Sequence, residues 1–420
     1  MGHVKKFWKK LTHTKALDQC SGKLEMIFFE SVYRITYLAG LSSHDHDVLY
    51  LLYSNMVKLT IILLVCGEVW YSFSDASGLD EIAASINSTV IQFITIYRYK
   101  NMLNHKNIYN KLATAMKSPY FDVSTKKREE LVNYWARQNQ KYLKLLLTLG
   151  NCTLIAWYIY PLVDELDYNL IIGIRLPFKY NTPHRYPLAY MLVVVAFAYI
   201  SHFVMVTDLI MQAHLMHLLC QFTVLADCFE NILIDCQNGL ENIHRDELIY
   251  NKKFCAKYMR RLGNLVEQHK LILRNTMNLR DTLSGPMLGQ LAASATLICF
   301  VGFQTVTTIT ESIAKCLMSF LFLGYNAFEL YMLCRWSEEI TIQSKNVGEA
   351  IYYSGWEFGV SLLPGVRSTI IFVMARASKP LVLTAGGMYN LSLTSYTTLV
   401  KTSYSALTVL LRFRHDYAFK

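Results

Sequence analysis

Apolar residues in this 420-residue sequence gather into seven long runs, near 48–72, 82–100, 142–163, 187–225, 284–310, 316–334 and 381–411. Each approaches or exceeds the roughly 20 residues that a helix needs to cross a bilayer. The second is uncharged from Ile82 to Tyr97, and the fifth from Ser284 to Thr310. The fourth is longer than a bilayer requires, which predicts that it tilts or that its end bearing His214 and His217 projects into water. The stretch 26–40 (MIFFESVYRITYLAG) is shorter and broken by Glu30 and Arg34, and reads as a helix lying in the interface.

The connections carry patterns of their own. Within 226–283, Tyr250, Phe254, Tyr258, Leu262 and Leu265 recur at steps of three or four among charges, so spans four and five are expected to extend beyond the membrane and pack there. Within 335–379, SEEITIQSKNVGEA (337–350) carries Ile340, Ile342 and Val347, with Ile351 and Trp356 after it, and predicts an amphipathic helix too polar to span. Lys and Arg fix the direction of the chain, because positive loops stay cytoplasmic. The tail to Asp47 holds seven, 98–141 ten, 226–283 nine and 335–379 five, giving 31 on one side against seven on the other, with Lys58, Lys144 and Lys401 inside spans. The predicted fold is an all-α membrane protein of seven transmembrane helices, N-terminus cytoplasmic, C-terminus extracellular, with a cytoplasmic helical anchor.

The expected organisation is a cytoplasmic tail with the interfacial helix (1–47), spans one to four as a ligand-binding bundle (48–225), a cytoplasmic extension (226–283), spans five and six (284–334), an anchor region (335–380), span seven (381–412) and a short outer tail (413–420). Composition agrees with a membrane protein: 53% of residues are hydrophobic, only 17% are charged, and the mean hydropathy is +0.23. Soluble domains carry nearer a quarter charged residues. The net charge of +10 raises nucleic acid as a partner. However, the basic residues sit between apolar runs, no nucleic-acid motif is present, and lipid explains them better.

Other chemistries find little support. The ten cysteines form no CxxC and no Cys/His group with zinc spacing, so neither a metal nor a disulfide framework is expected. The basic start, MGHVKKFWKK, lacks the apolar region of a cleavable signal peptide. No Gly-rich phosphate loop or H-E-x-x-H points to an enzyme or a cofactor. His202 and Asp208 in span four raise a transporter's proton relay, but no second buried carboxylate is evident and Glu329 is expected to snorkel to the membrane edge. A G-protein-coupled receptor runs in the opposite direction; Asn-Pro-x-x-Tyr, Asp-Arg-Tyr and a cysteine in 164–186 are all missing.

Three C-terminal stretches occur in order: GEAIYYSGW (348–356), VMARASKPLVLTAGGMYNLSLTSY (373–396) and VKTSYSALTVLLR (400–412). Together they resemble the C-terminal signature of insect odorant receptors. A related gustatory receptor would carry Thr-Tyr followed by Gln-Phe, whereas Ser403-Tyr404 is followed here by Ser-Ala-Leu. The resemblance implies an odorant-specific subunit of a ligand-gated cation channel in the plasma membrane of an olfactory neuron dendrite, forming a hetero-tetramer with a shared odorant co-receptor subunit. It also implies a small volatile organic ligand, permeant cations, surrounding membrane lipid, no nucleic acid and no cofactor. The anchor helices would hold the subunits together and span seven of each would line one pore.

In span seven, Thr394, Thr397, Lys401, Ser405, Thr408 and Arg412 form a polar stripe, and Val400, Tyr404, Leu407 and Leu411 an apolar one about 100° around the helix. Polarity alone places the first on the conduit, whereas the resemblance places Leu407 and Leu411 at the constriction, closing it by dewetting. For the ligand, the resemblance points to the outer halves of spans two, three, four and six. In span three Gly150, Thr153 and Trp157 share a face; span six offers Phe322 and Tyr325, span four Tyr190, Phe197 and Tyr199, and span two Ile91 and Phe93. Trp157 and Tyr325 are each able to stack on a ligand and lend it one hydrogen bond. Ordinary packing is the competing explanation for every one of these aromatics.

Overall fold

In the computed structural model the apolar runs become helices longer than the runs themselves. Residues 10–19, 22–74, 79–163, 168–237, 245–308 and 313–418 are described by the structure; parts of the expected segments 1–47, 226–283 and 413–420 lie outside them. Short α1 (Lys15–Gln19) and α2 (Lys23–Leu38) lead into α3 (Val48–Ser74), α4 (Leu79–Asn104), α5 (Lys106–Ala113) and α6 (Lys126–Val163). Then come α7 (Tyr186–Glu230), α8 (Ile232–Gln237), α9 (Lys252–Thr308), α10 (Ile313–Tyr352), α11 (Val366–Ala377) and α12 (Leu393–Ala418). Between the last two lies a small antiparallel hairpin, β1 (Thr384–Ala385) and β2 (Tyr389–Asn390). The fold is that of an all-helical membrane protein with seven long helices. Five of them, α3, α6, α7, α9 and α10, combine the length and apolarity to cross a bilayer; α4 and α12 have the length, at 26 residues each, with mixed polarity.

The central helix is α7. It packs on α10, α6, α3 and α9, while α9 also carries α4 and α12 on its flanks. The expected projection of its His214 end into water is not observed, because α2 and α5 cover that end. His217 is fully buried against the rings of Phe28 and Phe29, and His214 against Phe29 and Tyr109. Asn139 fixes α2 on α6 by donating to the Phe28 carbonyl (3.0 Å). The helix read as interfacial therefore buries one face in protein.

The patterned connections become helix extensions. Residues 337–350 continue α10 without a break, with Ile340 and Val347 buried against the rest of the chain and Ile342 on the outside. The stripe at 250–265 lies on or just before α9, and buries Phe254, Tyr258, Leu262 and Leu265 but not Tyr250. Further along α9, Pro286 has no N–H to give the carbonyl four residues back, that of Thr282. Asn101 Nδ2 from α4 donates to that freed oxygen at 2.6 Å. The hairpin docks on the same turn: the Gly386 N–H donates to the Ser284 carbonyl (2.7 Å) and the Gly387 N–H to Ser284 Oγ (3.1 Å). Gly386 has φ +60°, and a Cβ there would come 2.7 Å from Leu288 Cδ2, so the AGG of LTAGGMYN answers to both backbone and space.

His269 lies on the part of α9 outside the predicted spans. Burial, with Arg376 adding repulsion, lowers its pKa from 6.5 to about 4. The unfolded chain therefore takes up this proton near pH 6.5 and the folded chain only near 4, so stability is complete above 6.5 and falls as the pH drops between them. The loss should approach about 3 kcal/mol at pH 4. Melting of detergent-purified protein against pH should show this fall, and His269→Gln should flatten it; an unchanged slope in the variant would assign the loss to other groups.

Candidate ligand site

Helical spacing builds the site. Gly150, Thr153 and Trp157 on α6 face α7 and α10, and the bare Gly150 lets Met205 of α7 approach so closely that a Cβ there would lie 2.6 Å from Met205 Cε. Ile91 from α4, Phe197 and Met205 from α7, and Phe322 and Tyr325 from α10 close the remaining sides. The cavity offers about 80 Å³ to the centres of water-sized spheres. One water needs roughly 10–15 Å³ on that scale, so the space suits a molecule of about five to eight heavy atoms. Trp157 stacks on Phe197 (centroids 5.1 Å apart) and meets the Phe322 ring edge-on (5.6 Å).

Seven of the ten expected residues meet here: Ile91, Gly150, Thr153, Trp157, Phe197, Phe322 and Tyr325. Three do not line this cavity. Phe93 is two residues from Ile91, so the helix turns it to the opposite side, where it is 53% exposed. Tyr190 lies two turns before Phe197 and donates its hydroxyl to the Tyr158 carbonyl, and Tyr199 packs edge-on against Tyr53. Of the two predicted donors, Tyr325 is already engaged: its hydroxyl donates to Asp208 Oδ2 at 3.4 Å. Trp157 Nε1 is buried without a partner.

Behind Tyr325 lies a charged network that sequence reading missed. Arg98 of α4, 1% exposed, reaches Asp208 of α7 with Nη2 and Glu329 of α10 with Nη1 (3.6 Å). The same guanidinium donates to Thr207 Oγ1 (2.6 Å) and Gln290 Oε1 (3.3 Å), and Gln290 Nε2 in turn donates to Glu329 (2.9 Å). Glu329 therefore does not snorkel, because a buried guanidinium holds it, and a second buried carboxylate does accompany Asp208. His202 plays no part in this group; its Nδ1 bonds the Ala198 carbonyl (2.7 Å). The signal available in advance was that each charge interrupts an apolar run and so requires a partner. Among the described residues no group of three or more His, Cys, Asp or Glu side chains could hold a metal.

On α12, Ser403 is buried and donates to the Ala295 carbonyl of α9 (3.0 Å), which anchors the Ser-Tyr-Ser motif. Leu407 lies over Gly302 of α9 and Leu411 is half-covered. Lys401 and Tyr404 are exposed, as are Thr394, Thr397, Ser405, Thr408 and Arg412. The polar stripe is thus the face that the rest of the chain leaves open.

Seven long helices, four of which line a small aromatic cavity, define a multi-pass membrane protein with charged groups buried inside its bundle. The model of the 7tm Odorant receptor family matches residues 79–404, and the chain belongs to that family. Odorant receptor 13a of Drosophila melanogaster is 30% identical over 160 residues, 36% of this chain and 38% of that protein. The alignment thus spans well under half of that relative's length. Odorant receptor 30a of the same fly is 22% identical over 359 residues, 84% of this chain and 88% of that protein. The fold is shared with insect olfactory receptor OR5 from Machilis hrabei, solved in complex with eugenol: TM-score 0.76 and 16% identity, over 93% of this chain and 99% of that one.

Proposed function

We propose that this chain is the odorant-binding subunit of an odorant-gated cation channel in the plasma membrane, assembled with an insect odorant co-receptor subunit. The observation that carries this reading is the aromatic cavity between α4, α6, α7 and α10, small enough to be filled by one volatile molecule. Orientation with the N-terminus inside rests on the 31 basic residues on that side against seven. The uncovered face of α12, with Lys401, Tyr404 and the threonines, is the surface through which this helix meets the conduit and its neighbours. Leu407, packed over Gly302, works from the boundary between that face and α9. Binding of eugenol by the OR5 of Machilis hrabei supports a small aromatic or aliphatic ligand here.

The test is whole-cell current in oocytes expressing the chain with and without the co-receptor, during a broad odorant panel. Rapid current in the pair, without added G-protein components, is expected. Gly150→Val projects into the cavity toward Met205 and Tyr325 and should raise the half-maximal concentration of every active odorant at least about tenfold, equivalent to about 1.4 kcal/mol, at unchanged surface density. Equal responses in wild type and variant would remove this cavity from the reading.

A further inference from the structure

Polar side chains stand behind one wall of this apolar cavity. Gln92 and Ser88 of α4 line it, and both turn to the same buried group, Glu68 of α3. Gln92 Nε2 donates to Glu68 Oε1 at 2.9 Å; Ser88 and Thr89 donate to Oε2 at 2.7 and 3.5 Å. Glu68 is 1% exposed, and among the described residues no cation pairs with it. Three donors converge on its two oxygens, so the carboxyl group is held in place by hydrogen bonds alone. They also fix the amide of Gln92: its N–H points at the carboxylate, and its own carbonyl oxygen, Oε1, is buried without a partner. An amide donating to a carboxylate is polarised, which strengthens its oxygen as an acceptor.

We infer that the ligand of this cavity carries a hydroxyl group whose O–H donates to Gln92 Oε1, so that the site selects small alcohols and phenols over ethers and hydrocarbons of the same shape. This rests on the reading of the cavity as the odorant site. A bare hydrocarbon or an ether leaves the Gln92 oxygen buried and unpaired, and an unsatisfied acceptor is what discriminates most sharply against a missing donor. Trp157 Nε1, the cavity's unpartnered donor, is satisfied by the lone pairs of the same kind of group. An ammonium ion is disfavoured: it surrenders its hydration and receives one amide oxygen, since Glu68 itself is already occupied by three donors and screened by Ser88 and Gln92.

Two matched trios decide the matter in channels formed with the co-receptor: 1-hexanol, pentyl methyl ether and heptane; benzyl alcohol, anisole and ethylbenzene. The alcohol of each trio should be at least about tenfold more potent than its ether or hydrocarbon, the effect of pairing a buried acceptor that the other two leave unmade. Gln92→Met keeps the volume and removes the acceptor, and should weaken the alcohols about tenfold while moving the ethers less than about threefold. Glu68→Gln should weaken the alcohols by a smaller factor, in the same direction. Surface density is read alongside, and if either variant fails to reach the surface the wild-type ranking still decides. Equal potency of alcohols and ethers, silence to all six ligands, or a Gln92→Met shift common to every ligand would each overturn the inference. Failure of the cavity reading itself looks different: Gly150→Val would then leave all responses unchanged.

Discussion

Replacing Arg98 by Leu is expected to cost about 3–5 kcal/mol and to abolish surface expression, because it strands two buried carboxylates rather than removing one contact. Asp208 and Glu329 are 4% and 7% exposed, lie on different helices, and share this one guanidinium. Gln290 and Tyr325 remain near them, but neither carries charge. Thermal melting of detergent-purified protein, with surface biotinylation in cells, measures the loss. The triple variant Arg98→Met, Asp208→Asn, Glu329→Gln removes the whole charged set and should regain most of the stability. A buried ion group replaced entire is often neutral or better, while one broken singly is not. A triple variant as damaged as the single one would mean that the network is held for its geometry and not for charge balance.

The rescued triple variant has a second use. Tyr325 lines the cavity while its hydroxyl points into the network at Asp208, so the network fixes the ring that an odorant touches. If the triple variant folds and still answers ligands with altered ranking, the network acts as a positioning element beneath the cavity.

What the sequence made legible follows from local periodicity. Gly150, Thr153 and Trp157 share a face because steps of three and four do so on any helix, and the cavity lies on that face. Phe93 failed the same arithmetic, standing two residues from Ile91. Periodicity has no purchase on contacts between distant segments. Arg98, Asp208 and Glu329 each announce a need for a partner, but nothing within their own runs says that the three meet. Glu68 shares its apolar run with one other charge, Lys58, and the donors that satisfy it, Ser88, Thr89 and Gln92, look like ordinary polar interruptions of the next one. The burial of His214 and His217 was hidden for a related reason: the length of α7 predicts an excess over the bilayer, and only the fold shows that α2 covers it.

Outside the spans, a second buried guanidinium should produce the other large effect, with a pH dependence of its own. Arg128, at the start of α6, is fully buried and meets Asp122 (2.8 Å), Asp227 (2.9 Å) and Asp235 (2.6 Å), drawing together the ends of α6, α7 and α8. Arg261 of α9 also reaches Asp122 and Asp235, and Lys127 reaches Asp227 (2.7 Å), so the set is partly redundant. Arg128→Leu should therefore cost about 3 kcal/mol at pH 7, the lower end of the range for a broken buried ion pair. Burial pushes the Asp122 carboxyl up, but hydrogen bonds from Ser124 and the charges of Arg261 and Arg128 outweigh it and hold the pKa below the usual 3.8. A carboxyl held low stabilises the fold above its unfolded pKa, and that contribution is lost as the pH falls through the depressed folded value. Without Arg128, Asp122 loses one of the two guanidinium charges that hold its carboxyl low. The gap between variant and wild type should thus be full at neutral pH and narrow only as the pH falls below about 3.8. Melting curves of both proteins from pH 7 down to about pH 2.5 would show it; a gap that stayed constant would mean that Arg128 holds these helix ends by packing and hydrogen-bond geometry, with its charge immaterial.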